Sequence, residues 1–138
     1  LTLALPRGWA AERSGGALRI RAPRRRLVAV VQADRSPAGR ATPAGEYALS
    51  ALAALPGYRE LEGRTARPPA SPYEAARVAA SGTRSGTRQH VSVTALHVPD
   101  EVTVSAVAFS HPGARAERRM LDRALATLRV AQRSGRSG

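Results

Sequence analysis

Apolar residues recur along this chain at two spacings, and the switch between them outlines its elements. Leu1 to Leu5 alternates apolar and small residues and predicts a short strand, broken by Pro6-Arg7-Gly8. After the Ser14-Gly15-Gly16 turn, Ala17 to Arg21 alternates again, with Leu18 and Ile20 on one face and Arg19 and Arg21 on the other. Leu27 to Val31 is nearly continuous in apolar residues, as a strand covered on both faces requires. A polar stretch over Ala33 to Ala41 reads as loop. From Thr42-Pro43 the spacing becomes helical, with Leu49, Leu52, Ala53 and Leu55 as the stripe, Glu46 in the first turn and Pro56-Gly57 as the stop. Tyr58 to Gly63 is read as a further strand, and Arg67 to Pro72, with three prolines, as loop.

The second half is more regular. Tyr73 to Ala80, Thr87 to Val98 and Glu101 to Ser110 predict three consecutive antiparallel strands, joined by the Ser81–Gly86 loop and a tight Pro99-Asp100 turn. Val91, Val93 and Ala95 share one face of the middle strand, and Val102, Val104, Ala106 and Ala108 share a face of the next. A closing helix from Ala114 to Val130 buries Met120, Leu121, Ala124, Leu125 and Leu128 and leaves Arg115, Arg118, Arg119, Arg123 and Arg129 mainly outside. The expectation is one α+β domain over residues 1–130: an antiparallel sheet of about six strands with two main helices packed on it, followed by a disordered Arg/Ser/Gly tail at 131–138.

Composition adds limits. At 138 residues and 43% apolar, the chain is long enough for one real core. It lacks the run of about 18 uncharged apolar residues that would span a membrane. No basic-then-apolar leader opens it, although the non-Met Leu1 is compatible with residues upstream. Without cysteine there is no disulfide, thiolate nucleophile or lipid-modified Cys, and the cytoplasm is the default compartment, export remaining open if the N-terminus is truncated. The net charge of +12 comes from 22 basic residues, every one of them Arg. Asn is absent, and Ile20 and Phe109 are single representatives, the signature of a GC-rich bacterial genome, so part of the charge is composition. The remaining excess still favours anionic partners.

The opening Leu5-Pro6-Arg7-Gly8-Trp9 after a short strand resembles the "Leu-Pro-x-Gly-Trp" start of the PsbP-like superfamily, including its small bacterial (LpqN-type) members. The ending from Met120 to Val130 is similar to that superfamily's last helix, with Thr127-Leu128 where Ser-Leu is usual. The order of strands, helix, meander and final helix matches as well. The resemblance covers about residues 1–130 and implies an α/β/α sandwich. Members include a photosystem subunit, a Ran-binding import factor, bacterial lipoproteins and chaperones of secreted effectors, so it implies a binding module and no particular partner. The chain departs from the lipoprotein members in lacking the lipobox cysteine. Trp9 then reads as a packing residue.

Candidate chemistry is sparse. His90 and His97, seven apart on one strand, point to opposite faces, and His111 sits at a strand end, so no metal set and no metal cofactor is expected. No Gly-x-Ser-x-Gly elbow is present, and Asp100-Glu101 and Glu60/Glu62 read as surface carboxylates, so no catalytic residue is assigned. The Ser81–Arg88 repeat lacks the ending of a P-loop and reads as a hairpin loop. Arg24, Arg25 and Arg26 are adjacent, and with Arg84 and Arg88 they are the candidate anion or partner patch, which Arg19 and Arg21 join if the strands fall together; a solvated basic turn is the plainer reading of the run. Two functions stand: a non-enzymatic protein-binding, adaptor or chaperone-like module that needs no cofactor, or an anion-binding protein that uses an Arg-rich surface on nucleic acid or an acidic membrane. An enzyme is the third choice. Scattered aromatics offer nucleic acid no stacking platform.

Overall fold

The structure, a computed structural model, describes residues 1–56 and 63–131. Seven strands form one antiparallel sheet: β1 (Ala10–Ser14), β2 (Ala17–Arg21), β3 (Leu27–Asp34), β4 (Arg64–Ala66), β5 (Glu74–Arg84), β6 (Thr87–Val98) and β7 (Val102–Ser110), in the order β1-β2-β3-β7-β6-β5-β4. Three α-helices accompany them: α1 (Pro37–Ala41), α2 (Ala44–Ala53) and α3 (Arg115–Ala126). The class is the α+β one expected, with one more strand and one more helix than the sequence suggested.

The differences have local causes. β1 was not foreseen because all five of its residues are exposed, so its sequence carries no apolar face. It exists because Gly15 and Gly16 (φ 57° and 84°) close a two-residue turn that pairs Ser14 with Ala17. Leu1 to Leu5 forms no full strand. Only Thr2 bridges to Arg129, while the alternation still turns Leu1 and Leu3 toward the core. The expected Ser81–Gly86 loop shrinks to Ser85-Gly86, both at positive φ (52° and 78°), so β5 runs to Arg84. α1 arises where a loop was expected: the Ser36 hydroxyl accepts the Gly39 N–H at 3.1 Å, and Pro37 starts the turn.

Thr42 therefore ends α1 and does not cap α2. Glu74 of β5 does that instead, its carboxylate accepting the Ala44 N–H at 2.9 Å. The face α2 buries is Ala44, Ala48 and Leu52, and Leu49 is exposed, against the stripe expected. Small residues win because the helix lies close against β5 and β6. The strand expected over 58–63 lies, apart from Gly63, outside the described residues, as does the tail beyond Ala131.

Two cores result, one on each side of the sheet. On one side α2 packs on Val78, Ala80, Val91, Val93 and Ala95. On the other, α3 brings Leu121 and Leu125 against Ile20, Leu27, Ala29, Val31 and the even-numbered residues of β7, with Trp9 buried at the margin as a packing residue. Burial of each of these leucines contributes about 1.5–3 kcal/mol. Gly8, at φ 85°, permits the turn in which the Trp9 N–H reaches the Pro6 carbonyl (3.2 Å), which delivers the indole to its seat. Thr127 joins the chain ends: its hydroxyl accepts the Ala4 N–H (2.8 Å) and donates to the Ala124 carbonyl (2.6 Å), while Leu128 is fully buried beside it.

Candidate functional site

Sheet register divides the side chains of β5, β6 and β7 cleanly. Arg77 and Ala79 of β5 lie level with Thr94 and Ser92 of β6, on the α3 side; Ser92 is level with Ala108 of β7. α3 covers the β2–β3–β7 part of that side and leaves a groove over β4, β5 and β6. Two cavities line it, of about 420 and 540 Å³, and they share Ala66, Ala79 and His90. Buried Ser92, Ala108 and Leu121 form the floor.

The rim is arginine. α3 contributes Arg115, Arg118 and Arg119, the loop after β4 contributes Arg67, and Arg77 stands on β5. Arg64 of β4 and Arg88 of β6 line the outer cavity. Against these seven guanidiniums stands, among the described residues, one carboxylate, Asp122. Both its oxygens are occupied by Arg77, through Nη1 at 3.0 Å and Nη2 at 2.6 Å. Arg77 also donates Nε–H to the Thr94 hydroxyl at 2.7 Å, so it is a fixed wall. Arg118 is fixed too, donating to the Ser110 hydroxyl and to the His111 and Pro112 carbonyls, each at 3.0 Å. Burial, then the neighbouring Arg115, lowers the pKa of Arg118 from its ordinary value. Arg64, Arg67, Arg88, Arg115 and Arg119 are exposed and pair with nothing among the described residues.

His90 sits where the two cavities meet. Its Nδ1 is buried without a hydrogen-bond partner. Burial holds its pKa below the usual histidine value, and the charges of Arg118 and Arg77 push the same way, so the ring is neutral at pH 7.

Of the arginines singled out in the sequence, Arg19, Arg21 and Arg25 come together, and the others are dispersed. Arg24 and Arg25 take positive φ (60° and 54°) in a tight turn between β2 and β3. Arg25 lies with Arg19, Arg21, Glu12 and Val28 on the opposite side of the sheet. Arg26 pairs with Glu117 in the first turn of α3 at 3.0 Å. Arg88 lines the groove, and Arg84 occupies the β5–β6 hairpin tip without lining it. The groove residues that were missed carry a signal after all. Positions 115, 118, 119 and 122 form a second helical stripe beside the apolar one, and Arg77 is a charge between Ala75 and Ala79 on one strand face.

On the α2 side a second polar group serves the backbone. Asp34 accepts hydrogen bonds from the Ser36 hydroxyl (2.6 Å) and N–H (3.0 Å) and from the Tyr47 hydroxyl (2.7 Å). The Ser36 and Tyr47 hydroxyls together lower the Asp34 pKa. Burial and then the Asp34 hydrogen bond push the Tyr47 phenol up to about 12, which makes it a poor acid. His97 and Thr103 meet at 2.9 Å in the same layer, and His111 accepts the Gly113 N–H at 3.0 Å. His90 and His97 face opposite sides, and no three metal-binding side chains gather among the described residues.

The sequence matches no protein-family model and no curated protein. The fold is similar to a crystal structure from Bacteroides thetaiotaomicron over 98% of this chain, with TM-score 0.66 and 14% identity. The chain spans 46% of that protein, about half its length. It is also similar to LpqN of Mycobacterium tuberculosis, a protein involved in cell envelope biogenesis, over 91% of this chain and 78% of LpqN, with TM-score 0.57 and 18% identity. At these identities the likeness is one of fold, an α+β domain with a single antiparallel sheet.

Proposed function

We propose that the chain is a non-catalytic binding module of the PsbP-like kind, and that an anionic group of its partner is held in the groove between α3 and β4–β6. One observation carries the reading: seven arginines converge on a groove whose single carboxylate among the described residues is fully engaged by one of them. Compositional bias alone would scatter arginines evenly over the surface. Guanidinium forks that meet no counter-charge among the described residues suit carboxylates and phosphates. The absence of catalysis is part of the proposal, supported by the lack, among the described residues, of a hydrogen-bonded base–nucleophile pair in the groove, where the His90 Nδ1 meets no hydroxyl. Tyr, Trp and Phe are missing from the described groove lining, which weighs against single-stranded nucleic acid. No described helix is long and apolar enough to cross a membrane. The likeness to LpqN sets the cell envelope beside the cytoplasm as the place to look for the partner.

The test is fluorescence anisotropy with a labelled glutamate-rich peptide and a labelled DNA duplex across a salt series. Replacing Arg67, Arg115 and Arg119 with Gln should weaken peptide binding about tenfold or more. Replacing Arg19, Arg21 and Arg25 removes equal charge from the other face and should leave it nearly unchanged. Equal losses from both sets would mean net charge alone is responsible, and the groove reading would be wrong. Duplex binding that persists at about 150 mM salt would favour nucleic acid instead.

A further inference from the structure

We infer that the inner cavity of the groove is a phosphate-monoester site, filled by a small phosphorylated molecule or by the headgroup of a phosphomonoester lipid. The inference rests on the anionic-ligand reading above and names its chemistry. The cavity of about 420 Å³ lies within the range of small-molecule pockets, about 300–1,000 Å³, and reaches down to buried Ser92 and Ala108. A groove that admits a ligand to that depth suits a compact head better than a polymer, whose charges are spread along a line.

Charge narrows the choice further. Asp122 neutralises Arg77, Arg118 is bound to two backbone carbonyls and a hydroxyl, and Arg67, Arg115 and Arg119 remain as open forks around one cavity. A single carboxylate offers two oxygens and one charge, which leaves most of these donors unanswered. A phosphate monoester near neutral pH carries up to two charges and three terminal oxygens, enough to meet several forks at once. His90 lines both cavities as a neutral ring, so a ligand in either would lie beside it.

Isothermal titration calorimetry of the full chain separates the sources and the failures. Soluble glycerol 3-phosphate is one arm; phosphatidylcholine vesicles with and without phosphatidic acid are the second; poly-L-glutamate is the third. Saturable binding in either phosphate arm is the expected result, and the arm that responds identifies the source. That binding should fall about tenfold or more in Arg115→Gln/Arg119→Gln and persist in Arg19→Gln/Arg21→Gln. Both arginines of the groove variant are exposed, so its fold should be kept, and the His90 ring resonances should shift on titration of the parent chain. Binding of poly-L-glutamate with neither phosphate arm responding would overturn the phosphate assignment and leave the groove reading intact. Silence in all three arms would overturn both. Phosphate binding indifferent to Arg115 and Arg119 would also overturn the site.

Discussion

The two principal helices cover the sheet diagonally, α2 over β5–β7 on one side and α3 over β2, β3 and β7 on the other, so each side keeps a bare half. Both bare halves carry arginines. Over β1–β3, Arg19, Arg21 and Arg25 stand beside Glu12 and Val28 around a shallow depression of about 240 Å³. Over β4–β6 the depression is larger, α3 stands as a wall, and Asp122 is already committed. The first half is a solvated basic surface. The second holds guanidiniums close together, and among the described residues Asp122 is the one carboxylate that lines it, already paired with Arg77, an arrangement unfavourable without an anion. The number of arginines, three against seven, and their placement both separate the halves.

The strongest way to break this contrast is to remove the wall. Leu125, 1% exposed, anchors α3, and Leu125→Ala should cost about 2–5 kcal/mol by urea denaturation and abolish anion binding with it. A smaller but sharper effect is expected at Asp122. Asp122→Asn strips the half-buried Arg77 of its counter-charge and should destabilise the chain by about 1–3 kcal/mol. The same change frees a guanidinium for the ligand, so anion affinity should rise while stability falls. Parallel movement of the two would show that the pair shapes the groove without competing for its ligand. On the α2 side, Gly39→Ala drives a Cβ into the Asp34 carbonyl and should cost about 1–3 kcal/mol without touching affinity, as checked by denaturation and anisotropy together.

The mildest prediction concerns pH. The folded-state pKa of His90 lies below its ordinary 6.5, so the unfolded chain takes up a proton first. The stability this group contributes is present above pH 6.5 and is lost as pH falls below that value toward the folded pKa. His90→Gln should remove that slope in thermal melts; an unchanged slope would place its origin elsewhere.

Residues that alternate cleanly are legible in the sequence itself. β6 has the bounds the sequence predicts, β7 begins one residue later, and Leu121, Ala124, Leu125 and Leu128 are buried as expected. Helix α2 misled because Leu49 fits a helical stripe, yet close packing against the sheet selects Ala44 and Ala48. The groove was illegible for a topological reason. Its arginines run from Arg64 to Arg119 and meet only because β5, β6 and α3 fold together. Arg24, Arg25 and Arg26 drew attention through adjacency, but three consecutive residues in a tight turn point in different directions, and one of them is taken by Glu117. Sequence neighbours are poor evidence of a site; the helical stripe at 115, 118, 119 and 122 was better evidence.

Every cation that lines the groove among the described residues is arginine, and the chain contains no lysine at all. Guanidinium does not release its proton under conditions in which proteins stay folded. Nor does it accept the acetyl groups that silence lysine amines. The positive face of this groove is therefore permanent: it has no acylation handle, and an alkaline shift would leave it charged. Whatever sets occupancy must come from the supply of the ligand and from the ligand's own ionisation.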